Sequence, residues 1–250
     1  MRQRKLKDLD EKLEMFNQGI KINPKAIKGH WQDMFAEDQP IYMELGCGKG
    51  QFILTLAKAH PERNFIAVEG NRSVMLRALQ KASRMFSTDE FSVNESRTEA
   101  ASGEFDESLW SSDADDCVYE ILPNLIFANM YLRDVTDCFA AGELSGIYLN
   151  FSDPWPKDRH AKRRLTHTGY LKGYRKVLKP GSCLEFKTDN EKLFRFSVDE
   201  FEANDLERLE YSENLHGESN GYETEKYMTE YEQKFSSQGN QIYYCKVQFR

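Results

Sequence analysis

The chain is expected to form an α/β domain. Its core would be a mostly parallel, seven-stranded sheet with an antiparallel closing strand and helices on both faces. Three observations carry that expectation. The apolar run Ile41–Leu45 ends in a glycine turn, Gly46-Cys47-Gly48-Lys49-Gly50, and a helix-period pattern follows directly. Further apolar runs then alternate with amphipathic stretches along most of the chain. Finally, two strand-like segments flank a polar stretch near the C-terminal end, which suits an antiparallel pair better than another crossover.

Taken in order, Arg2, Arg4, Lys5 and Lys7 open a basic arm, residues 1–30. After the glycine turn, Phe52, Ile53, Leu56 and Ala57 recur at helical spacing, and Asn64–Glu69 reads as a second buried strand. A helix from Ser73 carries Val74, Leu76, Ala78, Leu79 and Ala82 on its apolar positions. Residues 87–117 are rich in Ser, Glu and Asp and keep no apolar period, so an acidic insertion, about 87–120, is expected to be mostly loop. Phe91, Phe105, Leu109 and Trp110 are its candidates for anchors. Residues 125–130 and 146–151 are the third and fourth strands. Thr166 is placed to cap a helix over 167–178 that turns Tyr170, Leu171, Tyr174 and Val177 inward, with Lys179-Pro180-Gly181 stopping it. A fifth strand, 183–188, leads to Asn190, which caps a helix through Leu193, Phe194, Phe196, Val198 and Phe201. Strands at 206–215 and 242–249 finish the sheet around the polar stretch, in which Thr229 and Glu232 match a capping box. One domain spanning 1–250 accommodates all of this.

Composition excludes several classes. Cys47, Cys117, Cys138, Cys183 and Cys245 are odd in number and include no C-x-x-C pair, which predicts free thiols. The five histidines lack ligand spacing, so no metal is expected. No apolar run reaches the ~18 residues of a membrane span, and the basic N-terminus lacks the apolar region of a secretory signal, so the expected location is cytoplasmic. The net charge of −7 argues against a nucleic-acid partner until it is resolved along the chain. Residues 89–120 hold eleven acids against Arg97, a local charge of −10, and the remainder is +3. Local patches decide phosphate binding, and 2–7 and 157–164 are both cationic.

Two segments carry chemistry. Pro154 and Pro156 stiffen the chain just beyond the fourth strand and hold Asp153 at the strand's carboxyl end, the edge at which open α/β sheets bind ligands. Behind it runs Arg159-His160-Ala161-Lys162-Arg163-Arg164, and an acid beside a cationic run points to chemistry on a nucleic acid. At the other segment, Gly46, Gly48 and Gly50 are two apart, whereas the dinucleotide fingerprint ends on a spacing of three. Glu44 before the turn disfavours a pyrophosphate and favours a cation. Glu69, ending the next strand, suits two ribose hydroxyls. Together they describe a ligand with a ribose and positive charge, such as S-adenosylmethionine.

The segments Glu44 to Phe52, Asn150 to Lys157 with Arg159 to Thr166, Lys187-Thr188-Asp189-Asn190 and Thr229-Glu230-Tyr231-Glu232 together resemble the bacterial tRNA (guanine-N7)-methyltransferase family. The resemblance spans most of the chain outside roughly 87–125. It implies a Rossmann-like class I methyltransferase fold, S-adenosylmethionine as cofactor and methylation of guanine 46 in the tRNA variable loop. It also implies that Glu44, Glu69 and Asp153 contact the cofactor, with Gly46 and Gly48 in the turn, and that Asp153 is catalytic. Lys157, Asp189, Thr229, Glu230, Tyr231 and Glu232 would touch the substrate, and Arg159, His160, Ala161, Lys162, Arg163 and Arg164 would meet RNA. Where relatives carry an acid for the adenine amine this chain has Tyr131, and Asn129 is the alternative acceptor.

Guanine N7 has an in-plane lone pair and no proton, so its methylation needs placement and charge stabilisation rather than a general base. Asp153 is the candidate for the charge. Asp189 or Glu232 would accept from N1–H and N2–H of a flipped guanine, and Trp155 either stacks on the base or packs its own turn. A small-molecule methyltransferase would have no use for the cationic run, a nicotinamide oxidoreductase would want the other glycine spacing, and a non-catalytic RNA-binding module would not need Asp153. A monomer and a homodimer both fit.

Overall fold

The computed structural model describes residues 9–16, 20–21, 24–86, 122–217 and 220–250. The basic residues 2–7, Cys117 and the acidic insertion with Phe91, Phe105, Leu109 and Trp110 lie outside them. The elements run α1 (Leu9–Glu14), β1 (Ile20–Lys21), β2 (Ile41–Leu45), α2 (Gln51–Ala59), β3 (Asn64–Glu69), α3 (Arg72–Phe86), β4 (Leu125–Asn129) and β5 (Leu144–Asn150). They continue as α4 (Thr168–Val177), β6 (Leu178–Thr188), α5 (Glu191–Ala203), β7 (Glu207–Ser212), α6 (Glu230–Ser237) and β8 (Tyr243–Gln248).

These strands form one sheet in the order β1-β4-β3-β2-β5-β6-β8-β7. Seven are the expected ones, and the eighth is the two-residue β1, which pairs with β4 through Ile20 and Phe127. All pairs from β1 through β6 are parallel. β8 is antiparallel to both neighbours and lies between β6 and β7, so β7 and not the final strand forms that edge. The order reverses at β2 and β5, which diverge toward opposite halves of the sheet.

Period-2 alternation sorts the strand residues onto two faces. Ile66 and Val68 of β3 and Ile147 and Leu149 of β5 join Leu171, Tyr174, Leu193, Phe194 and Phe201 of α4 and α5. Phe65, Ala67 and Tyr148 face the other way, onto Phe52 and Ile53 of α2 and Leu79 of α3. Helices therefore cover both faces. Four cysteines, Cys47, Cys138, Cys183 and Cys245, are free thiols. No helix among the described residues is long and apolar enough to cross a membrane.

Three local expectations change. His167, not Thr166, caps α4: its Nδ1 accepts from the Gly169 N–H at 3.0 Å. Thr166 is buried one residue too early, and its hydroxyl pairs with Ser197 Oγ at 2.7 Å. The stretch Lys179-Pro180-Gly181 lies inside β6, which follows α4 without a break. A register irregularity between Leu144 and Gly146 of β5 and a φ of +79° at Gly181 accommodate it. In the basic arm, Leu13, Phe16 and Ile20 pack into the core. Trp31 just beyond is fully buried, stacks on Phe139 at 5.2 Å and donates from Nε1 to the Cys138 carbonyl at 2.9 Å. Trp31→Ala should cost about 3–5 kcal/mol, read as a lower denaturant midpoint at unchanged m-value.

Candidate active site

A cavity of about 650 Å³ opens at the carboxyl ends of β2 and β5, where the strand order reverses. Its floor is the turn between β2 and α2. Gly46, Gly48 and Gly50 have φ of +85°, +58° and +82°, a path that side-chain-bearing residues rarely take. The Gly46 and Cys47 N–H groups both donate to the Val68 carbonyl, which ties the turn to β3. Lys49 of the turn is exposed and lines the cavity mouth.

Glu44 is 1 % exposed. One carboxylate oxygen accepts from Asn150 Nδ2 at 2.8 Å, and the other is buried with no hydrogen-bond partner among the described residues. Burial pushes its pKa up to about 8, against the smaller downward pulls of the Asn150 bond and the Lys187 charge. Ser152 Oγ, in the same lining, is also buried without a partner among the described residues. A cavity wall with an orphaned carboxylate oxygen and an orphaned hydroxyl is suited to a ligand bearing a cationic donor.

Glu69 and Asn129 are not among the residues lining the cavity, and Glu69 reaches it through Gly48 of the turn. The Glu69 carboxylate accepts from the Gly48 N–H at 3.1 Å and the Asn71 N–H at 2.8 Å, so it braces the turn. Burial raises its pKa, against the smaller pulls of the Asn71, Gly48 and Gly70 N–H groups. Asn129 is opposite Glu69 in register and donates from Nδ2 to the Glu69 carbonyl at 2.8 Å, an orientation that leaves Oδ1 as the acceptor. The Tyr131 ring lies over Gly70, where a Cβ would meet it at 2.4 Å.

Asp153 is exposed at the cavity lip and has no hydrogen bond or ion pair to a described residue. Phe151 and Trp155 on either side have φ of +52° and +42°. Beyond them the 3-10 turn Asp158–Arg163 presents Arg159, Lys162 and Arg163 to solvent, with His160 and Ala161 half-buried and Lys157 exposed at its start. Arg163 sits 4.8 Å over the Trp155 ring, and His160 meets that ring edge-on at 5.8 Å. Trp155 thus packs its own turn. Arg164 is a correction to the expected RNA-facing run. It is 8 % exposed and spends its guanidinium on the Pro154 and Trp155 carbonyls, both at 3.1 Å.

The opposite wall belongs to α6, capped by the expected box in which Thr229 Oγ1 accepts from the Glu232 N–H at 2.9 Å. Thr229, Glu230 and Tyr231 line the cavity. Tyr231 donates to Asp189 Oδ2 at 2.7 Å and packs on Phe151 at 5.0 Å, and burial and that bond push its pKa up to about 12. Glu230 pairs with Lys81 of α3. Glu232 is the second correction. It is fully buried and is committed to Lys187 at 3.0 Å, to His216 at 2.8 Å and to the Thr229 N–H, so it cannot read a base edge. Lys187, 1 % exposed, also donates to the Thr224 and Tyr227 carbonyls, and burial lowers its pKa. The site depends on Asn150, Lys81, Lys187 and His216 as well as the expected residues. Lys187 carried a signal, a cation inside the apolar strand before Thr188.

The strand order, the glycine turn and the acids Glu44 and Glu69 define a Rossmann-like methyltransferase domain of class I. Residues 38–245 match the model of a family described as "Putative methyltransferase". Among curated relatives, a tRNA (guanine-N(7)-)-methyltransferase of Brevibacillus brevis is 42% identical over 88% of this chain and 86% of its own. One from Clostridioides difficile is 39% identical over the full length of both. The chain belongs to the tRNA (guanine-N7)-methyltransferase family. Among solved structures, the 16S rRNA methyltransferase KamB shares the fold with a TM-score of 0.54 at 10% identity, over 88% of this chain and 93% of that one.

Lys187→Met would leave Glu232 buried with too few partners. It should destabilise the fold by about 3–5 kcal/mol, with the double variant Lys187→Met/Glu232→Leu closer to wild type in chemical denaturation.

Proposed function

We propose that this protein transfers a methyl group from S-adenosylmethionine to N7 of guanine 46 in the tRNA variable loop. One observation carries the reading: the orphaned oxygen of Glu44 and the carboxylate of Asp153 share one cavity, beside the exposed cations of the 3-10 turn. The curated names of relatives at 39–42% identity support the same substrate class.

The residues suit the parts of such a cofactor. Glu44 would accept from its ammonium group, Glu69 would take the ribose hydroxyls and Asn129 Oδ1 the adenine amine, with Gly46 and Gly48 allowing close approach. When bound, the cofactor supplies a methyl group on a cationic sulfur. Guanine N7 attacks with its own lone pair, so no residue has to remove a proton first. Asp153, unpaired by any described side chain, offsets the positive charge that develops on the purine. Asp189, oriented by the Tyr231 hydroxyl, accepts from N1–H and N2–H of the flipped base, while Thr229, Glu230 and Tyr231 form the wall against it. Lys157, Arg159, Lys162 and Arg163 meet phosphates next to His160 and Ala161, in the cytoplasm where tRNA is modified. The enzyme acts as a monomer or homodimer.

The test is transfer of labelled methyl from S-adenosylmethionine to unmodified tRNA, with nucleoside analysis and cleavage mapping of 7-methylguanosine. Label in 7-methylguanosine at position 46 is expected, and label elsewhere or nowhere would overturn the reading. Asp153→Asn should lower kcat about 10²-fold with tRNA affinity nearly unchanged. A second expectation follows from Glu44. A cation binds the ionised carboxylate, which the free protein protonates below about 8, so cofactor affinity should weaken as pH falls from roughly 7.5 to 6, by up to about tenfold per unit. The sign for stability is opposite: without cofactor, the raised pKa makes the fold less stable as pH rises from 4.5 to about 8. Titration calorimetry on Glu44→Gln should give weaker binding with that pH slope flattened.

A further inference from the structure

We infer that Arg164 is a positioning residue for Asp153. It works through the backbone of the Asp153-Pro154-Trp155 turn and does not contact RNA. The inference rests on the methyl-transfer reading for its kinetic readout.

Asp153 has no hydrogen bond or ion pair to a described side chain, so its place at the cavity lip is set by the course of its own backbone. That course is not one the residues adopt readily. The last ladder contact is the Phe151 N–H to the Lys187 carbonyl at 2.9 Å. From there Phe151 and then Trp155 take left-handed φ values, neither of them glycine. Two such residues within five positions are strained and persist only when their surroundings over-determine them. Pro154 and Pro156 remove the N–H groups that a regular turn would use.

Arg164 supplies the missing restraint. Nε donates to the Pro154 carbonyl and Nη2 to the Trp155 carbonyl, so one planar fork grips two successive peptide units directly after Asp153. The fork is itself held, since the guanidinium carbon lies 4.3 Å over the Phe196 ring of α5. Thr166, two residues on, anchors to Ser197 of the same helix. Arg163, immediately before it in sequence, is exposed and lies over the Trp155 indole. The two arginines therefore divide the work: Arg163 faces solvent, and Arg164 fixes the acid's distance from α5.

Two substitutions separate positioning from RNA contact. Arg164→Lys keeps the charge and loses the fork, and Arg164→Met loses both. Positioning predicts that each lowers kcat at least tenfold, since misplacement of about 1 Å can cost 10²-fold, with KM for tRNA and for S-adenosylmethionine within about threefold of wild type. It also predicts an unchanged salt dependence of tRNA binding for Arg164→Met. Lys162→Ala, removing an exposed cation, should reduce that slope by roughly 0.9. An Arg164→Lys enzyme with wild-type kcat, or an Arg164→Met protein with a reduced slope and unaltered kcat, would overturn the proposal. If thermal melts show either variant unfolded at the assay temperature, Phe196→Leu replaces it. That variant keeps the guanidinium but removes the ring beneath it, and a smaller fall in kcat at unchanged slope is expected. Wild-type kcat in Phe196→Leu would count against the role. Wild-type protein that transfers no methyl at all overturns the functional reading and this one with it, whereas an active wild type with unimpaired variants overturns the positioning role alone.

Discussion

A carboxylate buried at the carboxyl end of the central strand, satisfied on one oxygen and orphaned on the other, sets the terms for everything around it. Glu44 lies where β2 and β5 part, and its bond to Asn150 is the side-chain link across that parting. Desolvating a charge is expensive, and the chain offsets only part of that cost internally, through Asn150 and the nearby ammonium of Lys187. Lys187 is buried in turn and needs a partner, which Glu232 provides from the capping box of α6. One unsatisfied acid on β2 thus leads, charge by charge, to the helix that walls the opposite side of the cavity. The same segment is held further out by Glu230 on Lys81 and by Tyr231 on Asp189.

The cationic run after Pro156 shows how little a charge count says about individual charges. Arg163 and Arg164 are adjacent, yet one guanidinium lies in solvent over an indole and the other is sequestered beneath two carbonyls. The short 3-10 turn explains the split. It ends at Arg163, and Arg164 leaves it with extended φ and ψ, which directs the side chain back under the turn that carries Asp153. Glu230 and Glu232 divide in the same way, since residues two apart on a helix face different directions.

Much of the architecture was legible because periodicity is local. β2 and β3 have the boundaries the apolar runs suggested, the glycine turn is where its spacing put it, and Asn190 and Thr229 both cap the helices expected of them. What escaped was non-local. Trp31 reads as an isolated aromatic in a polar stretch until Phe139 and the Cys138 carbonyl come beside it from more than a hundred residues away. Glu232 looked like a free acid because the lysine that consumes it is 45 positions earlier. Thr166 fitted a cap by residue type, and His167 took the position because Ser197 had claimed the threonine hydroxyl. The prolines were enough to put Asp153 at the cavity lip, but nothing local indicated that Arg164 would bond the carbonyls of Pro154 and Trp155.

The position of β8 has a bearing on how the molecule is made. β6 and β7 do not pair with each other, and the strand that joins them, β8, follows both in sequence. During synthesis, the six strands from β1 to β6 can assemble while β7 still lacks its ladder and Lys187 still lacks its carboxylate. The cavity wall and the edge of the sheet close together, late, and at the cost of long-range loop closure. A chain whose β8 is not yet in place has six of its eight strands paired and an open strand edge at β6 exposed to other chains.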